Sequence, residues 1–290
     1  MRVAGGILLI CSVFRVLSQA ETPPGLRLPA NVVAGEAVTV PSNATGSETF
    51  YLIGPGHVAK RNVQAGQNIQ LSSADLSTAG TYQAIICDGE ECSITNFYVA
   101  PDRGKELVFL VHPSRIAVGQ PNAISAVTVA LDRFHNLAVQ PEAVTFRATT
   151  TKENGVSSPP QMTRNGIAWT RLNSGMKDGT VEISGSLGQT SERRVVQQVA
   201  AEPCHLHVSA EQKGNQVVLQ TEPVRDCQGN AVPDGTIVTF TKTDKLGRST
   251  VDVPVKKGVA RTEMAFGGSA TISVACGVVV GNDIRMGGTR

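Results

Sequence analysis

Tryptophan occurs once in the 290 residues, at Trp169, tyrosine three times and histidine five times (His57, His112, His135, His205, His207). Charged residues make up 17% of the chain, and 26 Lys plus Arg against 24 Asp plus Glu leave a formal net charge of +2. No basic run is longer than pairs such as Arg193-Arg194 and Lys256-Lys257. The electrostatic footprint of a nucleic-acid binder is therefore missing, and no such partner is expected. Beyond the N-terminus no segment reaches the roughly 18 consecutive apolar residues of a membrane-spanning helix, and none keeps a helical period. A Gly-x-Ser-x-Gly elbow and a His-Glu-x-x-His helix are both absent, and serines such as Ser125 and Ser191 stand in no catalytic context. These absences argue against an enzyme and call for no cofactor.

What remains is apolar and turn-rich: 41% hydrophobic residues, 29 glycines and 15 prolines, a composition suited to many short strands. The length holds two or three small domains with real cores. Met1-Arg2, the apolar stretch Val3 to Phe14, and small residues at Ser18 and Ala20 make up the three parts of a secretory signal, with cleavage expected after Ala20. A lipoprotein signal at Leu8-Leu9-Ile10-Cys11 is the alternative, although Ile10 is bulkier than such a signal prefers. The tail from Arg285 to Arg290 offers no anchor. An exported, soluble chain is expected, without an integral membrane segment once the signal is removed. Cleavage leaves Cys87, Cys92, Cys204, Cys227 and Cys276 in a compartment that permits disulfides. Five is odd, so at least one thiol stays free, binds something or pairs with another chain.

From Glu106 onward the sequence repeats. Asp132-Arg-Phe-His-Asn136 followed by Val144-Thr-Phe146 matches Asp226-Cys-Gln-Gly-Asn230 followed by Val238-Thr-Phe240, each matched pair 94 residues apart. Gly166-Ile-Ala168 answers Gly258-Val-Ala260 at 92 residues. Such spacing means two copies of one module rather than a solenoid. Within each copy apolar residues alternate, as in Val217 to Thr221, Thr236 to Thr241, Ala270 to Ala275, Val144 to Thr150 and Thr180 to Ser184. These are half-buried, β-branched strands, and their spacing predicts antiparallel sandwiches. In the region before the repeat, Leu71 to Tyr82 resembles the turn-then-tyrosine of the immunoglobulin fold, with Ala84 where that fold's second bridging cysteine stands. Short linkers are expected at Pro101 to Gly104 and Val199 to Pro203. The expected organisation is a signal peptide at 1–20 and three tandem immunoglobulin-like sandwiches at 21–100, 101–200 and 201–290.

The pattern Asp226-x-x-Gly-Asn-x-Val-Pro-Asp-Gly-Thr-x-Val-Thr-Phe240, then Gly258-Val-Ala260, resembles the group 1 bacterial immunoglobulin-like domain of invasin and intimin type. The resemblance covers both later modules. It implies tandem sandwiches on exported or surface proteins, used as stalks or adhesive spacers, and it implies no catalytic residue. His135 stands where this family usually has glycine, so the turn in the earlier copy is expected to be built differently.

Read from the residues themselves, Asp226 can accept bonds from turn amides, Gly229-Asn230 tolerate positive φ, and Pro233-Asp-Gly235 set up the next turn. Asp226, Asn230 and Asp234 are alternatively calcium ligands, although no third carboxylate is nearby. Glu90-Glu91 and Asp226/Asp234 are the candidate carboxylate pairs for glycoside chemistry, and Glu90-Glu91 read more simply as the tip of a hairpin. Asn43-Ala-Thr45 matches a glycosylation acceptor. Cys87 and Cys92 flank a short loop between strands and are expected to form a disulfide. Cys204, Cys227 and Cys276 fall at one pole of the last sandwich. A disulfide among them is expected, with Cys204–Cys227 preferred but the pairing open; the alternative is a zinc or copper site from the three sulfurs with His205 or His207. The function expected is a non-enzymatic binding, adhesion or spacer module with a protein or glycan ligand at the cell envelope. Two alternatives are kept: a polysaccharide or peptide hydrolase with a site between modules, and a purely structural stalk.

Overall fold

The computed structural model describes residues 26–29, 31–42, 46–150 and 155–287. The expected signal segment, Cys11 and the Asn43-Ala-Thr45 triplet lie outside the described residues. Every regular element among the described residues is a β-strand, and no helix among them is long and apolar enough to cross a membrane. The chain divides into two compact units, one up to Ala100 and one from Pro101 onward.

In the first unit, a five-stranded sheet runs in the order Val32–Val33, Glu91–Ala100, Gly80–Asp88, Glu48–Gly54, His57–Val63, and Val38–Val40 pairs with Ile69–Leu71. Alternation decides what is inside: Phe50, Leu52, Leu71, Leu76, Tyr82 and Ala84 are all fully buried. The Tyr82 hydroxyl donates to the Thr78 carbonyl at 2.8 Å, closing the corner before its strand. Its ring sits where Gly54 leaves room; a β-carbon on Gly54 would meet it at 2.0 Å.

The second unit contains two hydrophobic cores. The earlier copy packs a three-stranded sheet (Ile167–Leu172, Ile124–Leu131, Glu106–His112) against a six-stranded one that includes Ala143–Thr150, Gly179–Leu187 and Thr190–Val199. Phe109, Ile124, Phe146 and Ile183 fill the space between them. The later copy repeats the plan with Val208–Lys213, Gln216–Thr221 and Arg261–Ala265 against a sheet built on Gly247–Pro254, Ile237–Asp244 and Ala270–Cys276, around Leu219, Phe240 and Ile272. The repeat extends to single hydrogen bonds. Ala130 N donates to Gly166 O as Val224 N does to Gly258 O, and His135 N donates to Asp132 O as Gly229 N does to Asp226 O.

That last pair corrects one expectation. The turn of the earlier copy is not built differently: His135 adopts φ 64°, beside 83° for Gly229. A side chain in this region costs about 1–2 kcal/mol, and the surrounding bonds to Asp132 hold it there.

Candidate functional site

The repeated aspartate is the centre of each turn. Asp226 Oδ1 accepts from the amides of Gln228 (2.9 Å) and Asn230 (2.8 Å). Its Oδ2 accepts from Asn230 Nδ2 (2.9 Å) and from the amide of Ala201 (3.0 Å) in the connection that enters the copy. Asp132 does the same with Phe134, Asn136 and the amide of Asp102. Burial alone would raise both carboxyls, but these donors outweigh it and hold both below the ordinary value. A carboxylate surrounded by N–H donors has no oxygen left to offer a cation. Asp234 is exposed, so the calcium set of Asp226, Asn230 and Asp234 and the Asp226/Asp234 carboxylate pair are not assembled.

Asn230 extends the clamp across the two copies. Its Nδ2 also donates to the Met176 carbonyl at 3.0 Å, and its Oδ1 accepts from the Asp178 amide at 3.1 Å. Lys177 Nζ donates to the Gln228 carbonyl at 3.1 Å. Both ends of one buried side-chain amide are thus spent on joining the copies. Beside this joint lies a cleft of about 630 Å³ whose lining includes Gln120, Ala201, Glu202, Gln228 and Pro233. Glu202 is its single acidic side chain, with neither serine nor histidine in the lining, so it does not supply the inter-module hydrolase site.

The cysteines are placed as follows. Cys87 and Cys92 face each other across the hairpin of Gly80–Asp88 and Glu91–Ala100 and are disulfide-bonded, with Cα atoms 4.1 Å apart. Glu90 and Glu91 are exposed at its tip. Cys204 and Cys227 are also bonded, with Cα atoms 4.8 Å apart. Cys276 is a free thiol buried in the later core, and burial, with the nearby Glu202 charge, pushes it up. His205 and His207 are exposed on either side of buried Leu206. The set Cys204, Cys227, Cys276 with His205 or His207 therefore has two sulfurs tied to each other and a third turned into the core. Among the described residues no group of three or more His, Cys, Asp and Glu is disposed to hold a metal ion.

Two features escaped the sequence reading. The first is Asp75, which takes Arg61 Nη2 at 2.5 Å and the amide and hydroxyl of Ser72 at 2.7 Å each, with His57 Nε2 at 3.4 Å. Burial would raise this carboxyl, but the Ser72 and Arg61 bonds bring it down from 3.8 to about 2. The second is the outer face of the earlier copy's three-stranded sheet. There Leu110, Val127 and Trp169 stand in one cross-strand row and Val108, Val129 and Ile167 in the next. Trp169 is 62% exposed and Leu110 60%. The signal was present in Leu107-Val-Phe-Leu-Val111, since an unbroken apolar run in an antiparallel strand is apolar on both faces.

No family model matches the chain, and no curated protein is similar to it in sequence. Among solved structures it resembles FdeC, an Escherichia coli adhesin, with TM-score 0.62 and 16% identity over 91% of this chain and 95% of that one. It also resembles invasin, a bacterial integrin-binding protein, with TM-score 0.51 and 10% identity over 87% of this chain. The match spans only 56% of the invasin chain. The fold is the immunoglobulin-like repeat fold of these invasin-type bacterial proteins.

Proposed function

We propose that this chain is an exported, non-enzymatic protein of the bacterial envelope. Its immunoglobulin-like modules, at 21–100, 101–200 and 201–290, carry a ligand-binding surface, and the last two are stiffly joined. The Asn230 joint supports this reading, because it spends a buried amide on fixing one module against the next. The resemblance in fold to an adhesin and to an integrin-binding protein supports a role in attachment, and two disulfides suit an oxidising, extracytoplasmic setting. A protein or glycan at the envelope or beyond it is the ligand class; nucleic acid is not.

Expression of the full chain with an epitope inserted at the exposed Leu246 turn tests this. Intact cells or the medium should stain, and Cys87, Cys92, Cys204 and Cys227 should resist alkylation until reduced. Retention in the cytoplasm with all four thiols reactive would refute the reading.

A further inference from the structure

The earlier copy has a groove of about 530 Å³ between two uncovered sheet edges, lined by Gln161, Met162 and Arg164 on one side and Ile167 to Arg171 on the other. Among the described residues Ile167–Leu172 is the last strand of its sheet, paired with Ile124–Leu131 on one side and on the other bridged only at Ile167, to Arg164 of the turn. Gln161–Met162 pairs only with Ala143–Thr150 of the opposite sheet. The later copy has the same groove. Val253, Pro254, Lys256, Lys257, Val259 and Arg261 line it, 92 residues after Gln161, Met162, Arg164, Asn165, Ile167 and Trp169. The turn between the sides is also the same, with Asn165 at φ 50° and Lys257 at 52°. The two copies can thus be compared position by position along this edge.

The contrast is sharp. In the later copy the cross-strand row at the groove is Ser209, Gln220 and Arg261, and Arg261 and Glu263 face solvent along the edge strand. Charges and a flanking proline are the usual protection of an open edge against added strands. In the earlier copy the matching row is Leu110, Val127 and Trp169, with Met162 55% exposed across the groove. The protection has been replaced by an apolar, aromatic surface of the kind that anchors partners. Arg164 and Arg171 flank it, both exposed, and neither is in an ion pair among the described residues.

We propose that this groove takes an extended polypeptide segment as an added strand on the Trp169 end of Ile167–Leu172, its apolar side chains on Trp169 and its flanking carboxylates on Arg164 and Arg171 of the same face. Ile167 already exchanges both backbone bonds with Arg164, so the edge beyond it, from Trp169 on, supplies the main-chain pairing, the usual mode for strand addition. The apolar rows select alternate side chains, and the two unpaired cations select acidic ones. The inference rests on the binding role proposed above, but it is tested on purified protein and so stands or falls apart from export.

Trp169 is the sole tryptophan, so its emission reports this site alone. The probe is the blocked peptide Glu-Thr-Val-Thr-Val-Thr-Glu, whose glutamates and valines share one face as Arg164, Trp169 and Arg171 do, added to the disulfide-intact chain. A saturable blue shift is expected. Double reversal, Arg164→Glu with Arg171→Glu, should weaken binding roughly tenfold while leaving the thermal midpoint unchanged. A Lys-flanked version of the peptide should bind the wild type roughly tenfold more weakly. N-methylation of alternate peptide amides should cost a further roughly tenfold through lost main-chain pairing, without touching the protein. Indifference to N-methylation, an equal response to both charge versions, or no shift up to millimolar peptide would each overturn the proposal. A shift produced instead by a neutral oligosaccharide, or by raising the protein's own concentration, would overturn it in favour of a glycan or a second copy.

Discussion

Replacing Asn230 by alanine isolates the joint from the rest of the fold. The side chain is 5% exposed and makes three bonds that alanine cannot: to Asp226 Oδ2, to the Met176 carbonyl and from the Asp178 amide. A buried bond of this kind is worth about 1 kcal/mol net, more where a charged acceptor loses a donor. The expected loss is therefore about 3 kcal/mol, or a fall of roughly 6–12 °C in the melting midpoint of a unit this size. Calorimetry reads both quantities, and amide hydrogen exchange at Asp178, whose proton Asn230 accepts, reads the opening of the joint itself. Both should change together. Asn230→Asp sharpens the test, because it puts a second carboxylate beside Asp226 and removes the Nδ2 donors. Its deficit should exceed that of alanine at pH 7 and shrink as pH falls, since a protonated acid can again donate to Asp226. A midpoint within a degree of wild type, with the Asp178 amide still protected, would refute the reasoning.

Three more outcomes are expected. His135→Gly should raise stability by about 1 kcal/mol, because the left-handed backbone no longer carries a β-carbon; the Glu106 pair it gives up is 71% and 51% exposed on its two sides and worth little. A fall in the calorimetric midpoint would contradict this. Gly54→Ala should destabilise the first unit by about 2–3 kcal/mol, as the Tyr82 ring is driven from its socket, whereas Tyr82→Phe should lose only about 1 kcal/mol for the bond to Thr78; urea midpoints compare the two. Asp75 is held at about 2 against the ordinary 3.8, so its contribution, on the order of 2 kcal/mol, is present above about pH 4 and is lost as pH falls toward 2. Urea titrations of wild type and Asp75→Asn should differ at pH 6 and converge near pH 2, and parallel pH curves would contradict the assignment.

Period-two alternation made the strands of both copies legible, because each has one face on a core and one in water. The tandem spacing was legible because the turn chemistry of Asp226 and Asn230 is local. The role of those residues between modules was not, since Ala201, Met176 and Asp178 reach the turn only through the fold. His135 misled because glycine's preference was read as a requirement, although the strain is small beside the bonds that hold the turn. Asp75 stood in plain view two residues ahead of the turn that leads to Tyr82, but its partners Arg61 and Ser72 arrive from a neighbouring strand and from its own loop. The Trp169 face broke the alternation rule, and that exception was the one clue to it in the sequence.

The Asp226 turn, sealed by Asn230, fixes the later module against the earlier one. Spin labels at Gln189→Cys and Leu246→Cys, exposed hairpin tips in the two copies, measure it directly by pulsed dipolar spectroscopy. A single narrow distance distribution, broadened by Asn230→Ala, is predicted; a broad distribution already present with Asn230 in place would contradict it.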